Sequence, residues 1–246
     1  MQYRKLINLA IFALLLSPSL ETMIILGMNS PRFEAQATEI DFKHLAQSSQ
    51  QLSWGDVLQN ILRQRPPTER RPGGGRGELC AIVPTASEAP AIIWNTRPLF
   101  VWQGRYNVIG VREKGATSDL WWGTVSTQSS STMHLPYSGT ALVPGKTYEW
   151  SFFVDPNRRS PLETVTFRVI DGKQRAVVTR DLSILESRLK AQNASEEAIA
   201  LARTNYFAKK GLRSDALQEI YSVKQPSAEL KQVMQDIEKQ MCQLQE

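Results

Sequence analysis

Cysteine and histidine are scarce in this chain, with two of each among 246 residues. Two cysteines are too few for a disulfide scaffold. Two histidines leave no His-based metal site unless carboxylates supply the other ligands. His44 lies in a polar stretch, His134 stands before Leu135-Pro136, and no His-Glu-x-x-His spacing occurs. The chain also lacks a Gly-x-Ser-x-Gly elbow, a phosphate loop with its lysine, and a dinucleotide-binding glycine fingerprint. No cofactor is implied. An excess of one charge is confined to a single stretch. The chain carries 29 basic and 24 acidic side chains, a net +5, and residues 1–37 hold three of the basic and two of the acidic ones. Of the +4 that remains, residues 63–77 supply all, with five arginines against Glu69. The rest is balanced, which argues against the spread basic face of a folded nucleic-acid-binding domain. What is present is ordinary for a globular chain: 41% hydrophobic and 22% charged residues.

The N-terminus reads as an export signal. Arg4 and Lys5 precede an apolar run over residues 6–16, broken by Ser17-Pro18-Ser19. A second apolar block covers residues 23–28, and Ala35-Gln36-Ala37 supplies a small-x-small cleavage pattern. The first run is shorter than the roughly 20 residues a membrane-spanning helix needs. Residues 1–37 are therefore expected to be a cleaved signal peptide, with a retained, tilted anchor as the alternative. No later segment is apolar enough for an integral span.

Residues 38–64 form a polar segment with one amphipathic helix. Ser53 and Asp56 make a capping pair, and Trp54, Val57, Leu58, Ile61 and Leu62 recur at helical spacing. The helix is expected to dock on the domain, because its polar face is poor in lysine; the alternative is a membrane surface. Residues 65–77, RPPTERRPGGGRG, read as a solvated tether.

Residues 78–180 read as an all-β domain. Candidate strands at residues 99–102, 106–111, 120–125, 147–154 and 164–170 alternate with turn signals, at the spacing of a sandwich. In Leu142-Val143-Pro144-Gly145-Lys146-Thr147-Tyr148-Glu149-Trp150 a Pro-Gly turn leads into a strand with Tyr148 and Trp150 on one face. A tyrosine in that position resembles the tyrosine corner of immunoglobulin and fibronectin type III sandwiches.

Residues 181–246 switch to helical spacing and form a C-terminal helical tail. Leu182, Leu185 and Leu189 mark a first helix, and Ser195 opens a second that stops at Gly211. Ser214 opens a third, and Ser227, after Pro226, opens a fourth with Leu230, Val233, Ile237 and Met241. Short connections imply antiparallel neighbours. The series Tyr206…Gly211…Ala216-Leu217…Tyr221…Pro226 resembles half of a tetratricopeptide repeat.

Four segments in order carry a wider resemblance: Arg76-Gly77-Glu78-Leu79-Cys80, Pro98-Leu99-Phe100-Val101-Trp102, the block from Leu142 to Trp150, and Gly211-Leu212-Arg213-Ser214-Asp215-Ala216-Leu217. Over roughly residues 72–223 the chain resembles the exported cyanobacterial family catalogued as domain of unknown function 928. The family's tryptophan at the segment matching Leu212-Arg213 and its cysteine near Val154-Asp155 are missing here. The resemblance implies export but no activity and no catalytic residues.

Candidate site residues are few. Cys80 and Cys242 can pair outside the cytosol, closing a loop that contributes about 4–5 kcal/mol in the chain-entropy model; the alternative is two separate thiols. Trp121 and Trp122 are adjacent and must face opposite sides of a strand. One is expected in the core. The other is either covered by the N-terminal helix or the helical tail, or free to stack on a sugar ring or grip a peptide. Asp155, Glu163 and Asp171 flank strands and are read as turn residues, as are Arg158-Arg159; Asn193-Ala194-Ser195 fits a glycosylation sequon but reads as a helix start.

The expected protein is an exported immunoglobulin-like sandwich with a small helical, repeat-like tail. Its leading expected role is a non-enzymatic binding or scaffolding protein of the periplasm or cell envelope. The alternatives are a carbohydrate-binding module using Trp121 or Trp122, and an envelope-polymer hydrolase with two convergent acids. The expected partner is an envelope protein or a glycan, and not nucleic acid.

Overall fold

The computed structural model describes residues 52–63, 79–85, 90–104, 106, 108–125, 132–153 and 161–242. All belong to one compact unit, Asp41–Glu246. The expected signal peptide, the tether at 65–77, His44, Asp155 and Arg158-Arg159 lie outside the described residues.

Among the described residues, eight strands form two sheets. They are β1 (Cys80–Val83), β2 (Ala91–Ile93), β3 (Leu99–Gln103), β4 (Val108–Glu113), β5 (Trp121–Thr124), β6 (Thr132–Pro136), β7 (Thr147–Phe153) and β8 (Glu163–Val169). One sheet has the order β1-β3-β6 and the other β2-β8-β7-β4-β5. All pairs are antiparallel except β2 with β8, where Ala91 lies opposite Phe167 in a parallel register.

The sheets share a core rich in aromatic rings. The period of two in β7 turns Tyr148, Trp150 and Phe152 inward, and β3 answers with Phe100 and Trp102. The Phe100 and Trp150 rings stack at 4.8 Å, and Trp102 meets Phe152 edge-on at 5.9 Å. Residue Val101, between the two inward rings of β3, points the other way and is also buried, against the helices. A strand covered on both faces explains the unbroken apolar run from Leu99 to Trp102.

Five helices complete the described structure. Helix α1 (Trp54–Arg63) starts at the expected capping pair: the Asp56 N–H donates to Ser53 Oγ (3.2 Å), and the Ser53 N–H donates to Asp56 Oδ2 (3.2 Å). It docks on the helical region as its apolar face anticipated, with Trp54, Val57, Leu58 and Ile61 buried. Helices α2 (Gly172–Ala191), α3 (Glu196–Lys209), α4 (Arg213–Ser222) and α5 (Ala228–Cys242) follow the strands.

Two expectations are corrected here. The boundary between strands and helices lies at residue 171, not 180. Asp171 caps α2, its carboxylate accepting from the Lys173 and Gln174 N–H groups at 2.9 and 3.0 Å. Most side chains in the first turns of α2, including Val177, are exposed, so no apolar stripe announces the start. The C-terminal helices are also not a tail. They pack on the outer face of β1 and β3 and share one core with them, so the architecture is mixed rather than all-β. Cys80 and Cys242 are joined by a disulfide, Cα to Cα 5.4 Å, across 162 residues of chain. Among the described residues no helix is long and apolar enough to cross a membrane.

Candidate functional site

The two adjacent tryptophans of β5 do face opposite sides. Trp121 turns inward at the rim of the aromatic core. Its ring stacks on Phe100 at 6.0 Å, meets Tyr137 at 5.0 Å, and its Nε1–H donates to Ser138 Oγ at 3.0 Å. It is a core-edge residue, held at three points. Trp122 lies on the outer face of the five-stranded sheet. Gly110 on β4 stands opposite it in the ladder. A Cβ there would come within 2.8 Å of the indole, so only glycine lets the ring settle onto the sheet. The ring also tilts against Phe153 at 4.7 Å. Both indoles are half-buried. Among the described residues, α1 and the C-terminal helices pack on one another, on the three-stranded sheet and on β2.

A second cluster was not foreseen from sequence. At the start of α4 the Asp215 carboxylate accepts from two consecutive backbone amides, Trp94 N–H (2.7 Å) and Asn95 N–H (3.0 Å). Ser214 Oγ accepts from Thr85 N–H (3.2 Å) and Gln218 Oε1 from Leu99 N–H (3.0 Å). The four bonds satisfy backbone donors beside the strands and so fasten the sheets to the helix. Ser214 was expected to open α4. It lies inside the helix instead, and Leu212 takes the cap position without a side-chain bond. Burial pushes the Asp215 carboxyl up to about 7, against the opposite pull of its two backbone donors.

The helices are also held together by charge. Arg203 of α3 makes a bidentate pair with Glu219 of α4 (2.8 and 2.6 Å) and reaches Glu186 of α2. The net effect of these carboxylates is to hold its guanidinium above the usual pKa, although partial burial works the other way. Tyr206 Oη donates to the buried Asp181 (2.9 Å), which also pairs with Arg180 (3.2 Å). No sequence signal separated these acids from ordinary helix-surface ones.

The remaining candidates fall apart in space or serve structure. Asp171 is a helix cap, Glu163 pairs with Phe152 in the β7–β8 ladder, and His134 of β6 packs edge-on to Tyr221 at 5.3 Å. Asn193 takes a positive φ of 56° in the turn between α2 and α3, and Ser195 caps α3 through Ala198 N–H (3.1 Å). Among the described residues no group of three or more His, Cys, Asp or Glu side chains is placed to hold a metal ion. Chemically, Asp215, Ser214 and Gln218 are engaged with backbone amides, and Arg203, Glu219, Tyr206 and Asp181 with one another's side chains. No family model, no curated protein and no solved structure matches the chain.

Proposed function

We propose that the chain is an exported, non-enzymatic binding or scaffolding module of the cell envelope, related to the family catalogued as domain of unknown function 928. The observation that carries the reading is the Cys80–Cys242 disulfide, because such bonds persist in oxidising compartments and are rare in the cytosol. An immunoglobulin-like sandwich is supported by the strand order and by a hydrogen bond from Val143 N–H to Tyr148 Oη (2.8 Å). That bond reaches back five residues, as a tyrosine corner does. The α3–α4 hairpin, which contains Tyr206, Gly211, Leu217 and Tyr221, supports the repeat-like reading of the helical region. The step from this fold to binding rests on analogy with sandwiches that serve as interaction modules. The test is fractionation of a natively expressed, C-terminally tagged chain with thiol trapping. The expected species is a shortened, oxidised form in the envelope fraction. A full-length, reduced form confined to the cytosol would reject the proposal.

Trp122 favours a second reading, glycan binding, because its indole lies half-exposed on a sheet face where a sugar ring can stack. A glycan array with the wild type, Trp122→Ala and Trp121→Ala checks it. Binding that Trp122→Ala abolishes supports this reading. Binding indifferent to both substitutions, or no binding, removes it.

A further inference from the structure

We propose that the Cys80–Cys242 disulfide is a redox latch on α1: its reduction loosens α5 and releases α1 from the groove formed by α3 and α5. Helix α1 has ten residues, below the roughly 12–15 at which an isolated helix becomes even marginal in water. It is helical because it is docked. Its Trp54, Val57, Leu58 and Ile61 occur at i, i+3, i+4 and i+7, the anchor spacing of a helix seated in a groove.

The polar anchors of α1 lead to α5. Trp54 Nε1–H donates to Glu197 Oε1 of α3 (2.9 Å), and Trp54 N–H donates to Glu229 Oε1 in the first turn of α5 (3.0 Å). Glu197 in turn accepts from Ser227 N–H (2.9 Å) and Ser227 Oγ–H (2.6 Å), just ahead of α5. The apolar wall is shared as well, since Leu230, Val233, Ile237 and Met241 of α5 lie in the same core as the α1 face. Helix α5 itself has two covalent ties, the short connection from α4 at its start and the disulfide to β1 at its last residue. Removing the second leaves its C-terminal half held by packing and by one hydrogen bond, from Gln103 Nε2–H of β3 to Glu238 Oε2 (3.2 Å). Local opening of α5 then becomes more frequent, and each opening takes away one wall of the α1 groove. The aromatic core between the sheets includes no residue of α1 or α5 and is insulated from this event.

The chemistry is a two-electron exchange with an external dithiol. Cys80 is buried and Cys242 half-buried, which directs attack to Cys242. A thiolate of the dithiol attacks Cys242 Sγ, the protein S–S bond breaks, and Cys80 leaves as a thiolate that takes up a proton. The second thiolate of the reductant then attacks its own sulfur in the mixed disulfide. Cys242 is released and protonated, and the reductant departs as a cyclic disulfide.

The test is hydrogen–deuterium exchange, read by mass spectrometry, on the purified oxidised chain and on the same chain in dithiothreitol. The Cys80→Ser/Cys242→Ser double variant provides a second, reductant-free measurement. Expected is exchange in residues 57–63 and 228–242 that quickens at least tenfold more on reduction than exchange in residues 147–153 and 163–169. Unchanged exchange in α1, acceleration of α5 alone, or equal acceleration in the strands would each overturn the latch. Should the double variant not fold, the reduced wild type decides.

Discussion

Between the two sheets the packing is dominated by rings, and beneath the helices mostly aliphatic side chains pack around Trp54, Tyr206, Phe207 and Tyr221, with buried polar groups and one covalent bond. Phe100, Trp102, Trp150, Phe152 and Phe167 fill the first core with indole and phenyl groups. Leu217, Ile220, Leu230, Val233 and Ile237 dominate the second, and Asp215, Ser214, Gln218 and the disulfide tie it to the strands. The first core is bounded by sheets whose backbone is satisfied by its own ladders. The second joins a sheet to helices, which cannot share a ladder, so side chains must meet backbone donors near the strand ends. The contrast teaches that a sheet–sheet interface can rest on shape and area, while a sheet–helix junction also needs placed acceptors.

The comparison breaks hardest at its largest ring. Trp150→Ala is expected to cost about 3–5 kcal/mol and to weaken the whole unit, read by urea unfolding. Replacing both Cys80 and Cys242 by Ser is expected to cost about 2–5 kcal/mol at the helical end, seen as a shift in the same curve. Acidity distinguishes the two cores next. Burial raises the Asp215 carboxyl from its ordinary value of 3.8 to about 7, so its contribution to stability is present in full below about 4 and is lost as the pH rises through 7. Desolvation lowers the imidazole of His134 and works in the opposite direction. Asp215→Asn isolates the acid: the fall in midpoint from pH 5 to pH 8 should be smaller in the variant than in the wild type. A thermal series with an unaltered slope would contradict the assignment. The smallest effect separates two tyrosines of the aromatic region. Tyr148→Phe loses the bond from Val143 N–H and should cost about 1 kcal/mol, whereas Tyr137, whose buried hydroxyl has no hydrogen-bond partner among the described residues, should tolerate Phe at no loss.

Several elements were legible before any coordinates. The α1 face was readable from Trp54, Val57, Leu58 and Ile61, because helical spacing is local and this helix is buried on one side only. The end of α3 was readable from Gly211, which takes φ +71° just past the helix. Other elements escaped for equally physical reasons. The start of α2 is mostly exposed and shows no stripe. Strand β2 has three residues, too few for a period to register, and its parallel pairing with β8 depends on a neighbour far along the chain. The role of Asp215 was hidden because an acid in the first turn of a helix is ordinary on dipole grounds alone.

The order of apolar and polar residues alone determined that β3, β4, β5, β7 and β8 are strands and that α1, α3, α4 and α5 are helices, since those properties depend on neighbours a few positions away. Only the tertiary structure decided that the helices cover a sheet, that Asp215 meets Trp94 and Asn95, that Gly110 seats Trp122, and that Cys80 finds Cys242. Each of these joins positions whose meeting depends on the whole chain having already folded, and a linear pattern holds no record of such a meeting.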